Sequence, residues 1–253
     1  MSNEASEAGR PPAVHVAPDV DTVAAELAAA FIDAARSVVA ERPFFVVLPG
    51  GKSPMPFFDC LVSNHRDRLP WNRVRFAWSD ERWVPAADQD SNFGLARRRL
   101  LEPLGLDVRQ VACPVATDLE TPEVAAVEYE RQLRQHWAVA EGRPDWVLLG
   151  IGGDGHTASL FPRRRVASDA WVLAVEDSPK PPPRRVTMTW TAFRRSRQLH
   201  IVATGTAKAS AAREARAAAL DLARFPLHGA RQCEGEVHWW LDQAAAAEGD
   251  GRG

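Results

Sequence analysis

Two short runs, "FFVVLP" at 44–49 and "DWVLLGI" at 145–151, are apolar at almost every position, and glycines close both. A strand with one face in water alternates polar and apolar residues; a strand without that alternation has both faces covered. Such strands belong to parallel sheets flanked by helices. The intervening chain has the matching helical periodicity. "DVDTVAAELAAAFIDAARSVVA" offers Asp19 or Asp21 as its N-cap, "PMPFFDCLVSNHR" carries proline near its first turn, and "NFGLARRRLLEPL" stops near Pro103. "EVAAVEYERQLRQHW" is amphipathic, and "TAKASAAREARAAALDLA" is an Ala-rich helix. Further strands are predicted at "VRFAWSD" (74–80), "WVLAVE", "RVTMTW", "LHIVATG" and "VHWWLD". This alternation predicts an α/β protein with a mainly parallel sheet and helices on both faces.

The 253 residues show no internal repeat and no dividing linker, so one domain is expected over 13–243, with flexible tails at 1–12 and 244–253. "SPKPPPRR" (178–185) is a stiff extended segment, too short to separate domains. A composition 45% apolar and 25% charged is that of a globular protein, and a formal charge of −2 gives no polyelectrolyte attraction to nucleic acid. The clusters "RRR" (97–99, 163–165) and "RRSR" (194–197) lack interleaved aromatics and read as solvated faces. The opening residues lack the order of a signal peptide, and no apolar run is long enough to span a membrane. Cys60, Cys113 and Cys233 form no C-x-x-C pair, which suits a reducing cytoplasm. The expected setting is cytoplasmic, as a monomer or weak homo-oligomer, with no membrane or nucleic-acid partner.

In an open parallel sheet, ligands gather beyond the carboxyl ends of the strands. Four polar segments occupy such positions: "PGGKSP", "SDERW", "GGDGHT" and "GTAK". At Gly50, Gly51, Lys52 and Ser53 two glycines permit close backbone approach to an anion, and a helix N-terminus follows, so phosphate is the natural guest. A tight strand-to-helix turn would need the same glycines. The Walker A spacing is absent. Gly150, Gly152 and Gly155 formally meet the G-x-G-x-x-G spacing, but "HTASLFP" follows in place of a long apolar helix, which disfavours a dinucleotide. His156 can accept and return a proton near neutral pH, and Asp154, two residues away, could orient it. Asp154 as a turn cap beside an ordinary loop histidine is the plainer alternative. Arg82 could grip a phosphate, or join Asp80 and Glu81 in a surface ion cluster. Lys208 reads as a phosphate contact or as a solvated lysine. A metal site would need a third ligand near His156, and the spacing offers none; His65, His136 and His200 read as helix-surface or strand residues.

Taken together, "LPGGKSP", "SDERWVPAADQDSNFG", "LLGIGGDGHTASLFP", "DSPKPPPRRVTMT" and "ATGTAKA" occur in the order seen in 6-phosphogluconolactonases, and the chain resembles that family from about residue 44 to 242. The resemblance implies a modified Rossmann-like sheet and hydrolysis of 6-phospho-D-glucono-1,5-lactone without metal or nucleotide cofactor. It implies that Gly50, Gly51, Ser53, Arg82, Lys208 and Arg185 meet the substrate and its phosphate; Lys52 departs from the family's usual Ser or Thr at that place, and its ammonium either adds to the attraction for phosphate or points to solvent. It also implies that His156 is the base, helped by Asp154, Asp80 and Arg82. The oxyanion would be met by amides of the 152–155 turn or by a cationic side chain. Two other readings remain open on the same residues. One is an amino-sugar-phosphate isomerase or deaminase, whose Tyr after Asp-Glu is replaced here by Arg82. The other is a sugar-phosphate sensor, for which residues 1–43 offer no helix-turn-helix.

Overall fold

The computed structural model describes residues 11–164, 168–216 and 220–247. Its main sheet has seven strands, all parallel: β1 (Ala13–Ala17), β2 (Phe44–Leu48), β3 (Val74–Trp78), β5 (Ala112–Cys113), β6 (Trp146–Gly150), β9 (Gln198–Ala203) and β10 (Glu236–Asp242), in the order β1-β10-β9-β6-β2-β3-β5. A second, antiparallel sheet holds β4 (Asp80–Arg82), β8 (Arg185–Met188) and β7 (Val172–Val175). The helices are α1 (Val20–Val39), α2 (Met55–Asn64), α3 (Asn92–Ala96), α4 (Val108–Val111), α5 (Pro122–Trp137), α6 (Trp190–Phe193), α7 (Ala209–Arg216) and α8 (Gln243–Ala246).

The absence of alternation in β2 and β6 has a direct cause. Phe44, Val46 and Leu48, with Trp146 and Leu148, enter the core beneath α1 and α2. Phe45, Val47, Val147 and Leu149 enter the opposite core, built with α5, α6, α7 and α8. Side chains of a strand point alternately to its two faces, so each residue of these strands is buried in one layer or the other. Asp19, not Asp21, caps α1: its Oδ1 accepts the Thr22 N–H at 2.8 Å.

Several expectations are corrected. "WVLAVE" and "RVTMTW" are strands but belong to the small antiparallel sheet. "SDERW" is not merely a polar strand end: Asp80–Arg82 pairs with β8. The two sheets are joined at Ser79, whose N–H donates to Leu48 O and whose carbonyl accepts from Met188 N, both at 2.8 Å. α7 ends sooner than its alanine content predicts, since 220–224 is non-helical. The C-terminal tail expected from 244 is held through α8, with Ala245 in the core. The tails at 1–10 and 248–253 and the last arginine of 163–165 lie outside the described residues. Among the described residues no helix is long and apolar enough to cross a membrane.

Candidate active site

From β2 the chain winds outward through β3 and β5, then returns to the other side of β2 as β6 and continues to β9. The order reverses between β2 and β6, and there the loops leaving adjacent strands diverge and open a crevice. A cavity of about 320 Å³ lies at this point, lined by Gly50, Gly51 and Ser53 after β2 and by Gly152, His156 and Thr157 after β6. Its volume is at the small end for a small-molecule site.

On the β2 side, Gly51 has φ +76°, a left-handed conformation that side-chain-bearing residues rarely adopt. The turn it makes delivers Ser53 to the start of α2, whose N-terminus has no side-chain cap; Met55 N–H already bonds Lys52 O and Pro56 has no N–H, so the helix dipole, not a row of free amides, favours an anion there. Lys52 is exposed and outside the cavity lining. Across the crevice, Lys208 lines the cavity from the turn after β9. Burial lowers its pKa, as does nearby Lys180, while Asp154 raises it.

The loop after β6 closes on itself. Gly152 N–H donates to His156 O at 2.8 Å, Gly155 N–H to Gly152 O at 2.9 Å, and Thr157 Oγ1 to Gly150 O at 3.0 Å. This folds His156 back over Gly152, where a Cβ would collide with the imidazole and with Asp154 Oδ1. Asp154 Oδ1 makes a short hydrogen bond with His156 Nδ1. Among the described residues no hydrogen bond engages Nε2, the nitrogen left for a ligand. Burial lowers the His156 pKa; Asp154 opposes that, and Lys180 adds to it. The Asp154 carboxyl is lowered on balance: burial raises it, and the bond and charge of His156, with Lys180, outweigh burial. The amides of Gly152 and Gly155 are spent inside the turn, and among the described residues no hydrogen bond engages those of Gly153 and Asp154, which remain the turn's available donors.

The small sheet forms the third wall. Asp80 is buried; its Oδ2 accepts from Ser159 Oγ at 2.6 Å and its Oδ1 from Asn92 Nδ2 at 3.2 Å. Arg82 lines the cavity, with Nη1 donating to Asp90 O at 2.7 Å. Glu81 points the other way and accepts the N–H groups of Arg82, Asn92 and Phe93 at 2.7–2.8 Å. Burial pushes its pKa to about 7, against the pull of those three bonds. Arg185 is at the wall but its fork is largely engaged. It donates to the carbonyls of Lys180, Pro181 and Pro182 at 3.0–3.1 Å and to Ser159 Oγ at 3.4 Å, and lies 3.8 Å from Asp80. One of its five N–H donors is left over, so it is first a loop anchor.

Sequence reasoning missed Lys180, Ser159 and Asn92. Lys180 Nζ is 3.2 Å from His156 Nδ1, and Ser159 and Asn92 hold Asp80. A basic residue inside an otherwise proline-rich loop was the one available signal for Lys180. Among the described residues no group of three or more His, Cys, Asp or Glu could hold a metal ion; His200 is buried in β9, stacked on Trp146.

Residues 18–239 match the family model described as glucosamine-6-phosphate isomerases/6-phosphogluconolactonase. A 6-phosphogluconolactonase of Mycobacterium tuberculosis is 35% identical over 243 residues, covering 93% of this chain and 97% of that protein. Among solved structures, 6-phosphogluconolactonase from Trypanosoma cruzi superposes with a TM-score of 0.81 at 25% identity, over 93% of this chain and 96% of that one. The Thermotoga maritima 6-phosphogluconolactonase gives 0.77 at 28% identity, over 92% of this chain and 100% of that one. A cavity at the sheet's switch point, the order of its motifs and a match over most of both chains agree: this chain belongs to the glucosamine-6-phosphate isomerase/6-phosphogluconolactonase family.

Proposed function

We propose that the chain is a 6-phosphogluconolactonase: it hydrolyses 6-phospho-D-glucono-1,5-lactone to 6-phospho-D-gluconate, a step of the oxidative pentose phosphate pathway. The observation that carries this is one cavity lined both by the Gly50, Gly51 and Ser53 turn before α2 and by His156, whose Nδ1 is bonded to Asp154 and whose Nε2 is open. The phosphate binds at Gly50, Gly51 and Ser53 before α2, with Arg82 and Lys208 supplying charge. Anchoring that end holds the lactone carbonyl near His156 and makes the attack of water a local event. Nε2 takes a proton as the water oxygen bonds to C1. Asp154 stabilises the resulting imidazolium through Nδ1–H. With the Gly152 and Gly155 amides occupied, the oxyanion is met by the Gly153 and Asp154 N–H groups of the same turn or by a cationic side chain that the phosphate does not occupy. The tetrahedral intermediate collapses by breaking C1–O5, and His156 returns its proton to the departing ring oxygen. General base and acid help of this kind is worth ~10²–10⁴ in rate. Asp80 holds the wall in place through Ser159 and Arg185. One C–O bond replaces another and no electrons are transferred, so the reaction as written requires no cofactor.

A monomer or weak homo-oligomer in a cytoplasmic setting is part of the same reading, and three free thiols suit that setting. The test is a pH-stat assay of freshly made 6-phosphogluconolactone with and without a metal chelator, beside an assay of ammonia release from glucosamine 6-phosphate. The proposal expects chelator-insensitive acid release and no ammonia. Ammonia release without lactone hydrolysis would overturn it in favour of a deaminase, and ligand binding without turnover in favour of a sensor.

A further inference from the structure

Lys180 lies on the loop from β7 to β8, and its backbone is held from two sides. Arg185 Nη2 donates to its carbonyl at 3.0 Å and Nε and Nη2 secure the next two carbonyls. Ser178 Oγ donates to the same Lys180 carbonyl at 2.9 Å and accepts the Lys180 N–H at 3.2 Å. A buried guanidinium thus dictates where a half-exposed ammonium stands. That place is beside the imidazole: Nζ is 3.2 Å from His156 Nδ1 and 3.9 Å from Asp154 Oδ2.

The two partners of Nδ1 make opposite demands. A carboxylate accepts and favours Nδ1–H; an ammonium has only protons to give. Both can stay where they are while the ring is neutral, with Lys180 directed onto the free Asp154 oxygen. An imidazolium would place two cations about one hydrogen-bond length apart, a repulsion that the partly buried setting screens poorly.

We propose that Lys180 is a positioning residue for the reaction: it braces Asp154 through Oδ2 and disfavours the imidazolium form of His156, so that the base is available at lower pH and readily surrenders the proton it has taken. This rests on the reading of His156 as the base. The charged groups facing the imidazole are Asp154 from its own loop, Lys180 from the β7–β8 loop and Asp80 from β4. Lys208, after β9, acts within reach of both Lys180 and Asp154, and Phe161 packs 4.9 Å from the ring. Of the two lysines, Lys180 is the one in contact with Nδ1.

The test compares Lys180→Met and Lys180→Arg with the unaltered protein in two measurements. One is the NMR titration of the His156 ring in the free enzyme, assigned by its loss in His156→Ala. The other is the pH profile of kcat/KM. In Lys180→Met the His156 titration and the acid limb of the profile are expected to move together to higher pH. The variant then loses roughly 3–10-fold more kcat/KM at pH 6 than at pH 8.5. Lys180→Arg restores both curves. An unmoved His156 titration in Lys180→Met overturns the proposal, including where kcat/KM falls equally at all pH values, which would make Lys180 a substrate contact. A titration that moves while the acid limb stays in place supports the lysine–histidine coupling and overturns the base reading instead.

Discussion

Gly152 lacks a side chain because the imidazole of His156 occupies the space one would need, with Asp154 Oδ1 beside it. The residue is far from the fold's structural core in role but decides where Nε2 points. In Gly152→Ala the ring must swing aside, and a misplacement near 1 Å is enough to cost ~10² in rate. The expected result is a kcat about 10²-fold lower with a melting temperature close to that of the unaltered protein; an unchanged kcat would show that the ring's position is unimportant. Lys208 lines the same cavity from the turn after β9, within reach of Asp154 and Lys180. Its ammonium is partly stripped of water by burial, so pairing with a phosphate recovers more than it would at an open surface. Lys208→Met is expected to raise KM about 10-fold or more while reducing kcat much less, read from initial-rate curves. A KM left alone would remove Lys208 from the phosphate site. At this scale the sequence was legible where a glycine is required by geometry and where His156 stands after a strand. It was not legible for Lys180, because nothing in "SPKPPPRR" says that the loop folds over a histidine 24 residues upstream.

β4 and α3 form the element that depends most on a single side chain. Glu81 gathers three backbone N–H groups and the Ser91 hydroxyl (3.1 Å), and so ties β4 to the start of α3 while Ser91 itself caps that helix. A carboxyl whose folded pKa is raised binds its proton more tightly in the folded state than in the unfolded one. For Glu81, raised by burial from 4.5 to about 7, that contribution is complete below about pH 4.5 and is lost as pH rises through about 7. The change amounts to ~3 kcal/mol. Urea midpoints taken between pH 5 and 8 should decline for the unaltered protein, with that part of the slope missing in Glu81→Ala; equal slopes would contradict the burial account. Glu81→Ala should also be less stable throughout by about 2 kcal/mol, since one buried and two partly buried N–H groups lose their acceptor. Charged residues in a row give no strand pattern, which is why β4 could not be read from "SDERW". Its side chains are satisfied largely by residues 8 to 79 positions away, and only the folded chain brings those near. β7 and β8 were legible as strands but not as a separate sheet, because partner and direction are set by tertiary contact.

The whole molecule is a twofold burial problem solved around β2 and β6. Both strands feed alternate side chains into two cores, and that demand erased polar residues from their sequence and made them the most readable elements in the chain. The same centrality puts the reversal of strand order between them, so the crevice opens where the two glycine-rich loops emerge. The chemistry therefore depends on topology: residues about 100 positions apart face each other only because β6 returns to β2. The edges were less readable than the centre. β5 is short, β1 exposes Val14 and Val16, and neither has the two-sided burial that marks β2. The most direct test of a cradle and a base in one cavity is the steady-state hydrolysis of 6-phosphogluconolactone by His156→Ala. A kcat lower by ~10²-fold or more, with KM within about threefold of the unaltered enzyme, is the predicted result, because binding at the phosphate end survives while proton transfer is lost. Hydrolysis at the unaltered kcat would contradict the account.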